Sequence, residues 1–125
     1  MKIFAINNAY NFGTRKQFKK LFSTCCYSGE PFEVQNTKTI EHIVPISQGG
    51  KNEYSNYFIV KRTWNEKRSS LPLKDFIRQY PQVQENIIKS VNAQDGKIID
   101  GIEWSKEVKK TLLKVLGEDI FNKNS

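Results

Sequence analysis

The sequence predicts an α+β domain in which a short two-stranded hairpin runs directly into a helix, with a further helical third behind it. Three observations carry this. Residues 37–44 are rich in β-branched side chains and stop at Pro45. Tyr57, Phe58, Ile59 and Val60 form a second short apolar run. Thr63-Trp64-Asn65-Glu66 is a capping box, which predicts a helix from there to about residue 69. The loop between the strands, Ser47-Gln48-Gly49-Gly50-Lys51-Asn52, carries glycines suited to positive φ.

The other elements follow in order. Residues 1–6 read as a short strand. Thr14 with Gln17 forms a capping box, and Phe18, Leu21 and Phe22 then fall at helical spacing. The opposite face of that helix carries Arg15, Lys16, Lys19 and Lys20, either as a solvated face or as one that tracks phosphates. Ser28, Gly29 and Pro31 break regular structure. Pro72 suits the first position of a helix with Leu73, Phe76, Ile77 and Tyr80 on one side, ended by Pro81. Val83, Ile87, Ile88 and Val91 mark another helix, and Asp95-Gly96 a turn. Ser105 is the expected cap of a last helix bearing Val108, Leu112, Val115 and Leu116, with Gly117 as its stop. Residues 122–125 read as a frayed tail.

At 125 residues the chain has room for one modest core, so residues 1–125 are read as a single domain. Hydrophobic residues make up 38% and charged ones 26%, as in ordinary globular proteins. Lys and Arg number 20 against 13 acidic residues, and the net charge of +7 favours a polyanionic partner such as nucleic acid. No apolar run approaches the roughly 18 residues that span a bilayer. Residues 1–8 turn polar too early for a secretory leader, so a cytoplasmic location is expected. Cys25 and Cys26 are sequence neighbours, which implies reduced thiols and no disulfide framework.

The chemistry concentrates around the single histidine. Glu41-His42 ends the first strand, and Asn56 and Asn65 follow His42 after 14 and 23 residues. An imidazole can take a proton from water near neutral pH. A carboxylate and an amide oxygen can hold a hard divalent cation. A second amide can fix the ring from behind. Arg68, one turn beyond Asn65, reads either as a clamp on a phosphate or as a solvated helix arginine. Neighbouring residues on a regular strand point to opposite faces, so Glu41 and His42 share a site only if the strand ends there. Pro45 fits such an ending.

This pattern resembles the HNH endonuclease family, whose core is the ββα-metal fold. The resemblance implies a ββα-metal core at about residues 37–70, preceded by an N-terminal helix and followed by a helical extension at about residues 71–121. It implies His42 as general base, Glu41 and Asn65 as ligands of one Mg²⁺ or Mn²⁺, and Asn56 holding the histidine and loop. Family members most often have Asp where Glu41 stands. The same spacing with two asparagines is similar to the HNH domain of RNA-guided CRISPR nucleases. Many HNH proteins also carry two Cys-x-x-Cys knuckles that bind zinc. Here Ser28 stands where the first knuckle has its second cysteine, and Lys61 and Trp64 where the second has both. Two thiols in one half cannot build a four-thiolate site, so no structural zinc is expected and packing by Trp64, Tyr27 and Phe32 is expected instead.

The function so implied is metal-dependent hydrolysis of double-stranded DNA by a soluble nuclease. A phage or mobile-element nicking enzyme acting inside a bacterial host, or a restriction or defence nuclease, fits it equally. A catalytically silent DNA-binding module on the same scaffold is the alternative, and the chain as monomer or homodimer stays open.

Overall fold

The computed structural model describes residues 15–34 and 37–122. The expected strand at 1–6 and the Thr14 cap lie outside them. Helix α1 covers residues 15–20 among those described; its Phe18 and, just beyond it, Phe22 are buried while Arg15, Lys16 and Lys20 stay exposed. A loop pinched by the Thr24–Pro31 bridge follows. Strand β1 (Lys38–His42) pairs antiparallel with β2 (Tyr57–Lys61), and helix α2 (Arg62–Arg68) continues from β2 without a loop. Helices α3 (Leu73–Gln79) and α4 (Gln82–Ala93) come next, then a small hairpin of β3 (Ile98–Ile99) and β4 (Ile102–Glu103), and last α5 (Trp104–Leu116). Five helices and two small antiparallel sheets among the described residues make this an α+β fold around a ββα unit.

The β1–β2 hairpin is covered on both faces, and this is why β2 is almost wholly buried. On one face Tyr27 packs edge-on to Phe58 at 5.7 Å and against Phe76 of α3 at 5.1 Å. On the other, Phe18 meets Tyr57 at 6.2 Å and Trp104 at 5.7 Å, and Phe22 meets Trp104 at 5.0 Å. The Trp104 indole N–H donates to the Tyr57 carbonyl (3.2 Å), which ties α5 to the hairpin. Such aromatic pairs add stabilisation beyond the area they bury. No helix among the described residues is long and apolar enough to cross a membrane.

Three local expectations need correction. Helix α2 starts at Arg62 with Lys61 as its cap and no side-chain capping bond, so Thr63 lies inside the helix. A capping box needs its Ser or Thr at the non-helical N-cap, and strand β2 places Lys61 there instead. Helix α5 likewise starts one residue before Ser105, because burying Trp104 draws it into the first turn, and the Ser105 hydroxyl donates to Asp95 instead (3.0 Å). The β3–β4 hairpin stands where only turn and helix were expected. Asp100 (φ 51°) and Gly101 (φ 77°) form its two-residue turn, and both left-handed positions suit Asp-Gly.

The loop between β1 and β2 is tight. A Cβ on Gly50 would lie 1.7 Å from the Val44 carbonyl oxygen, whereas Gly49 (φ 92°) faces open space. We expect Gly50→Ala to lower the thermal midpoint by roughly 10 °C. Gly49→Ala meets only the cost of its left-handed backbone, about 1 kcal/mol. Melting curves that rank the two variants in the opposite order would contradict this packing.

Candidate active site

The end of β1 presents two different side chains to two faces. Glu41 pairs across the hairpin with Phe58, and His42 with Tyr57. Glu41 therefore shares the Tyr27 side, and His42 the opposite side.

A buried carboxylate is costly unless bonded and paired. Glu41 is 5% exposed, and its Oε2 accepts from the Tyr27 hydroxyl (2.7 Å) and from Arg68 Nη1 (3.1 Å). Burial pushes its carboxyl above the ordinary range, opposed by the Arg68 charge and by both hydrogen bonds. Burial, and then the Glu41 charge, hold the Tyr27 hydroxyl well above its ordinary value, so it stays a donor. Both bonds fall on Oε2, leaving Oε1 outside this network.

Arg68 is 1% exposed and is the strut beneath the site. Its Nη1 also donates to the Tyr27 hydroxyl (3.0 Å) and the His42 carbonyl (3.0 Å), Nη2 to the Ile43 carbonyl (2.8 Å), and Nε to the Leu71 carbonyl (2.8 Å). The phosphate-clamp expectation for Arg68 is therefore corrected. All three nitrogens are committed inside the protein, and burial keeps a phosphate away.

On the other face, His42 Nε2 lies 2.7 Å from Asn52 Oδ1, and its ring stands edge-on to Tyr57 at 5.3 Å. With the amide oxygen as acceptor, the ring proton sits on Nε2 and Nδ1 carries the lone pair. Asn56 is buried and clasps the loop. Its Oδ1 accepts from the Val44 N–H (2.8 Å), and its Nδ2 donates to the carbonyls of Val44 (3.0 Å) and Lys51 (2.9 Å). Its own carbonyl accepts from the Ile43 N–H (2.8 Å). Asn56 thus reaches His42 through Lys51 and its neighbour Asn52, not through the ring. Asn52 and Tyr57 are site neighbours that the sequence does not single out, since a loop Asn and a strand Tyr carry no spacing signal.

Asn65 projects from α2 onto β1. Its Nδ2 donates to Thr39 Oγ1 (3.2 Å) and, weakly, to the Ile40 carbonyl (3.5 Å), so Oδ1 takes no part in these bonds. Thr39 and Glu41 share a face of β1, which brings Asn65 to the Glu41 side. The two oxygens left over, Glu41 Oε1 and Asn65 Oδ1, are hard donors of the kind Mg²⁺ accepts while keeping several waters. Among the described residues no group of three or more His, Cys, Asp or Glu could hold a metal. A cation here would thus rest on one carboxylate and one amide.

The two knuckle positions face each other. Cys25 Sγ accepts from the backbone N–H of Ser28 (3.4 Å) and of Lys61 (3.3 Å), and the Lys61 ammonium pairs with Glu30 at 3.2 Å. Both thiols are free and buried, and burial pushes Cys26 up to about 12. Trp64 packs on Phe76 (6.2 Å) and Tyr80 (5.7 Å), while Phe32 is half-buried under the Lys38 ammonium at 5.3 Å.

The hairpin, with an imidazole and a carboxylate at the end of β1, and the short helix that adds an amide form a ββα unit. Residues 25–73 match the family model described as HNH endonuclease. No curated relative and no solved structure matches the chain.

Replacing Arg68 by Met should strand Glu41 and three carbonyls, costing about 3–5 kcal/mol. Adding Glu41→Gln should recover part of that loss, because the uncompensated carboxylate is then gone. Denaturant midpoints of the two single variants and the double variant measure this. Strict additivity would contradict the strut.

Proposed function

We propose that the chain is a DNA endonuclease that hydrolyses phosphodiester bonds with Mg²⁺ or Mn²⁺, and that residues 1–125 work as one domain built on the ββα core. His42 is the general base: Asn52 holds the proton on Nε2, and Nδ1 accepts the proton of the attacking water. Glu41 and Asn65 are the groups that would hold the cation. When bound, the cation supplies positive charge for the phosphate oxygens and the leaving 3′-oxygen. Asn56 and Arg68 are positioning residues. Asn56 fixes the loop that carries Asn52, and Arg68 fixes the two carbonyls at the strand end and the Glu41 carboxylate. The net charge of +7 supports duplex DNA as substrate.

The observation that carries this reading is that the candidate groups all belong to, or bond to, the last residues of one strand. His42, bonded to Asn52, lies next in sequence to a carboxylate whose second oxygen is uncommitted; the two leave the end of β1 on opposite faces, and Asn65 is anchored on the Glu41 side through its nitrogen alone.

A second reading has one observation in its favour: Glu41 Oε2 is held by Arg68 and Tyr27, as a purely structural carboxylate would be. On that reading the chain binds DNA without cutting it.

A supercoiled-plasmid assay separates the two. We expect relaxation with Mg²⁺ or Mn²⁺, none with EDTA, and a loss of about 10²–10⁴-fold in His42→Ala. Plasmid that is bound yet stays intact with the wild-type chain and either metal would overturn the nuclease in favour of the silent module.

A further inference from the structure

With Arg68 buried as a strut, the proposed centre needs another cation for the DNA strand, and α1 supplies a candidate. Arg15 is exposed on α1, and its Nη2 lies 3.5 Å from the Tyr57 hydroxyl. Tyr57 is the ring against which His42 stands, so one aromatic ring separates the guanidinium from the imidazole. The same residues border a cleft of about 310 Å³, lined by Arg15, Asn52, Tyr54 and Tyr57 together with Glu53 and Asp100. Asn52, the hydrogen-bond partner of His42, thus opens onto the same space as Arg15.

We infer that Arg15, beside the Tyr57 hydroxyl, is a phosphate-contact residue that seats the DNA backbone on the imidazole side of the hairpin. This deepens the nuclease reading and rests on it for the meaning of the site. The chemistry suits the task. A guanidinium presents a fork of donors to phosphate oxygens, and a phenol hydroxyl can add one more. Neither group of this pair is consumed elsewhere as Arg68 is: Arg15 is solvent-exposed, and its contact with Tyr57 is long for a hydrogen bond. Glu53 and Asp100 repel a polyanion, which confines the strand to the Arg15 end of the cleft. Helix α1 also exposes Lys16 and Lys20.

The test is binding of a short fluorescein-labelled DNA duplex by anisotropy, in EDTA and across salt concentrations, with the full chain as wild type, Arg15→Gln and Arg15→Lys. One phosphate contact contributes a slope of about 0.9 in log K against log salt. We expect Arg15→Gln to lose that slope, binding about fifteenfold more weakly at 50 mM salt and about fourfold more weakly at 200 mM. Arg15→Lys should keep the slope, because the charge stays. An unchanged slope in Arg15→Gln, with unchanged melting, overturns the inference. Plasmid cleavage by the same proteins keeps the two ideas apart. Cleavage by the wild type with an unchanged Arg15→Gln slope sinks the contact and leaves the nuclease. A lost slope with no wild-type cleavage leaves the phosphate contact and sinks the nuclease.

Discussion

The Arg68 guanidinium is the hinge on which the strand end depends. It joins a helix, a strand and the knuckle loop through the Glu41 carboxylate, the Tyr27 hydroxyl and three backbone carbonyls. A charge buried this deeply is tolerated only because every nitrogen finds an acceptor and a carboxylate balances it. The same bonds dictate where the chain goes next. By gripping the carbonyls of His42 and Ile43, Arg68 fixes the backbone at the residue whose imidazole faces the other way. The Glu41 and His42 side chains therefore diverge from a rigid point.

From that point a second set of bonds runs through the loop. Asn56 bonds Val44 on both its N–H and its C=O and also holds the Lys51 carbonyl. Gly50 lets the loop close against Val44. Asn52 then arrives beside His42 with its oxygen toward Nε2. Asn56 is locked by its backbone partners, and through Lys51 it fixes the loop from which Asn52 reaches His42. On the knuckle side, Cys25 accepts two backbone N–H groups and Lys61 pairs with Glu30, so the two turns are joined by hydrogen bonds and an ion pair.

Much of the ββα unit was legible in the sequence. The β-branched run before Pro45 and the apolar run at Tyr57 each carry their own periodic signal, and the glycine pair marks the loop. The helix caps at Thr63 and Ser105 were misread for one reason: tertiary packing set the starts. Strand β2 feeds α2 directly, and Trp104 is drawn into the core. The β3–β4 hairpin escaped because each strand has only two residues, too few for alternation to register, although Asp100-Gly101 is a hairpin turn signal. For the candidate site, the residues of the His42, Asn56 and Asn65 spacing meet at β1 and the turn after it, Asn56 through Ile43 and Val44 and Asn65 through Thr39. The fate of Arg68 was not legible, because its burial depends on Tyr27 and on carbonyls far away in sequence. Asn52 was hidden for the same cause, being one polar loop residue among several.

The account stands or falls on whether a divalent cation meets Glu41 and Asn65 at the end of β1. Mn²⁺ titration of the ¹⁵N-labelled protein, read as paramagnetic broadening, tests this without any substrate. The Asn65 side-chain amide and the backbone amides of residues 39–43 should fade first, and Glu41→Gln should abolish the effect. Broadening centred elsewhere, or broadening that survives Glu41→Gln unchanged, would contradict it.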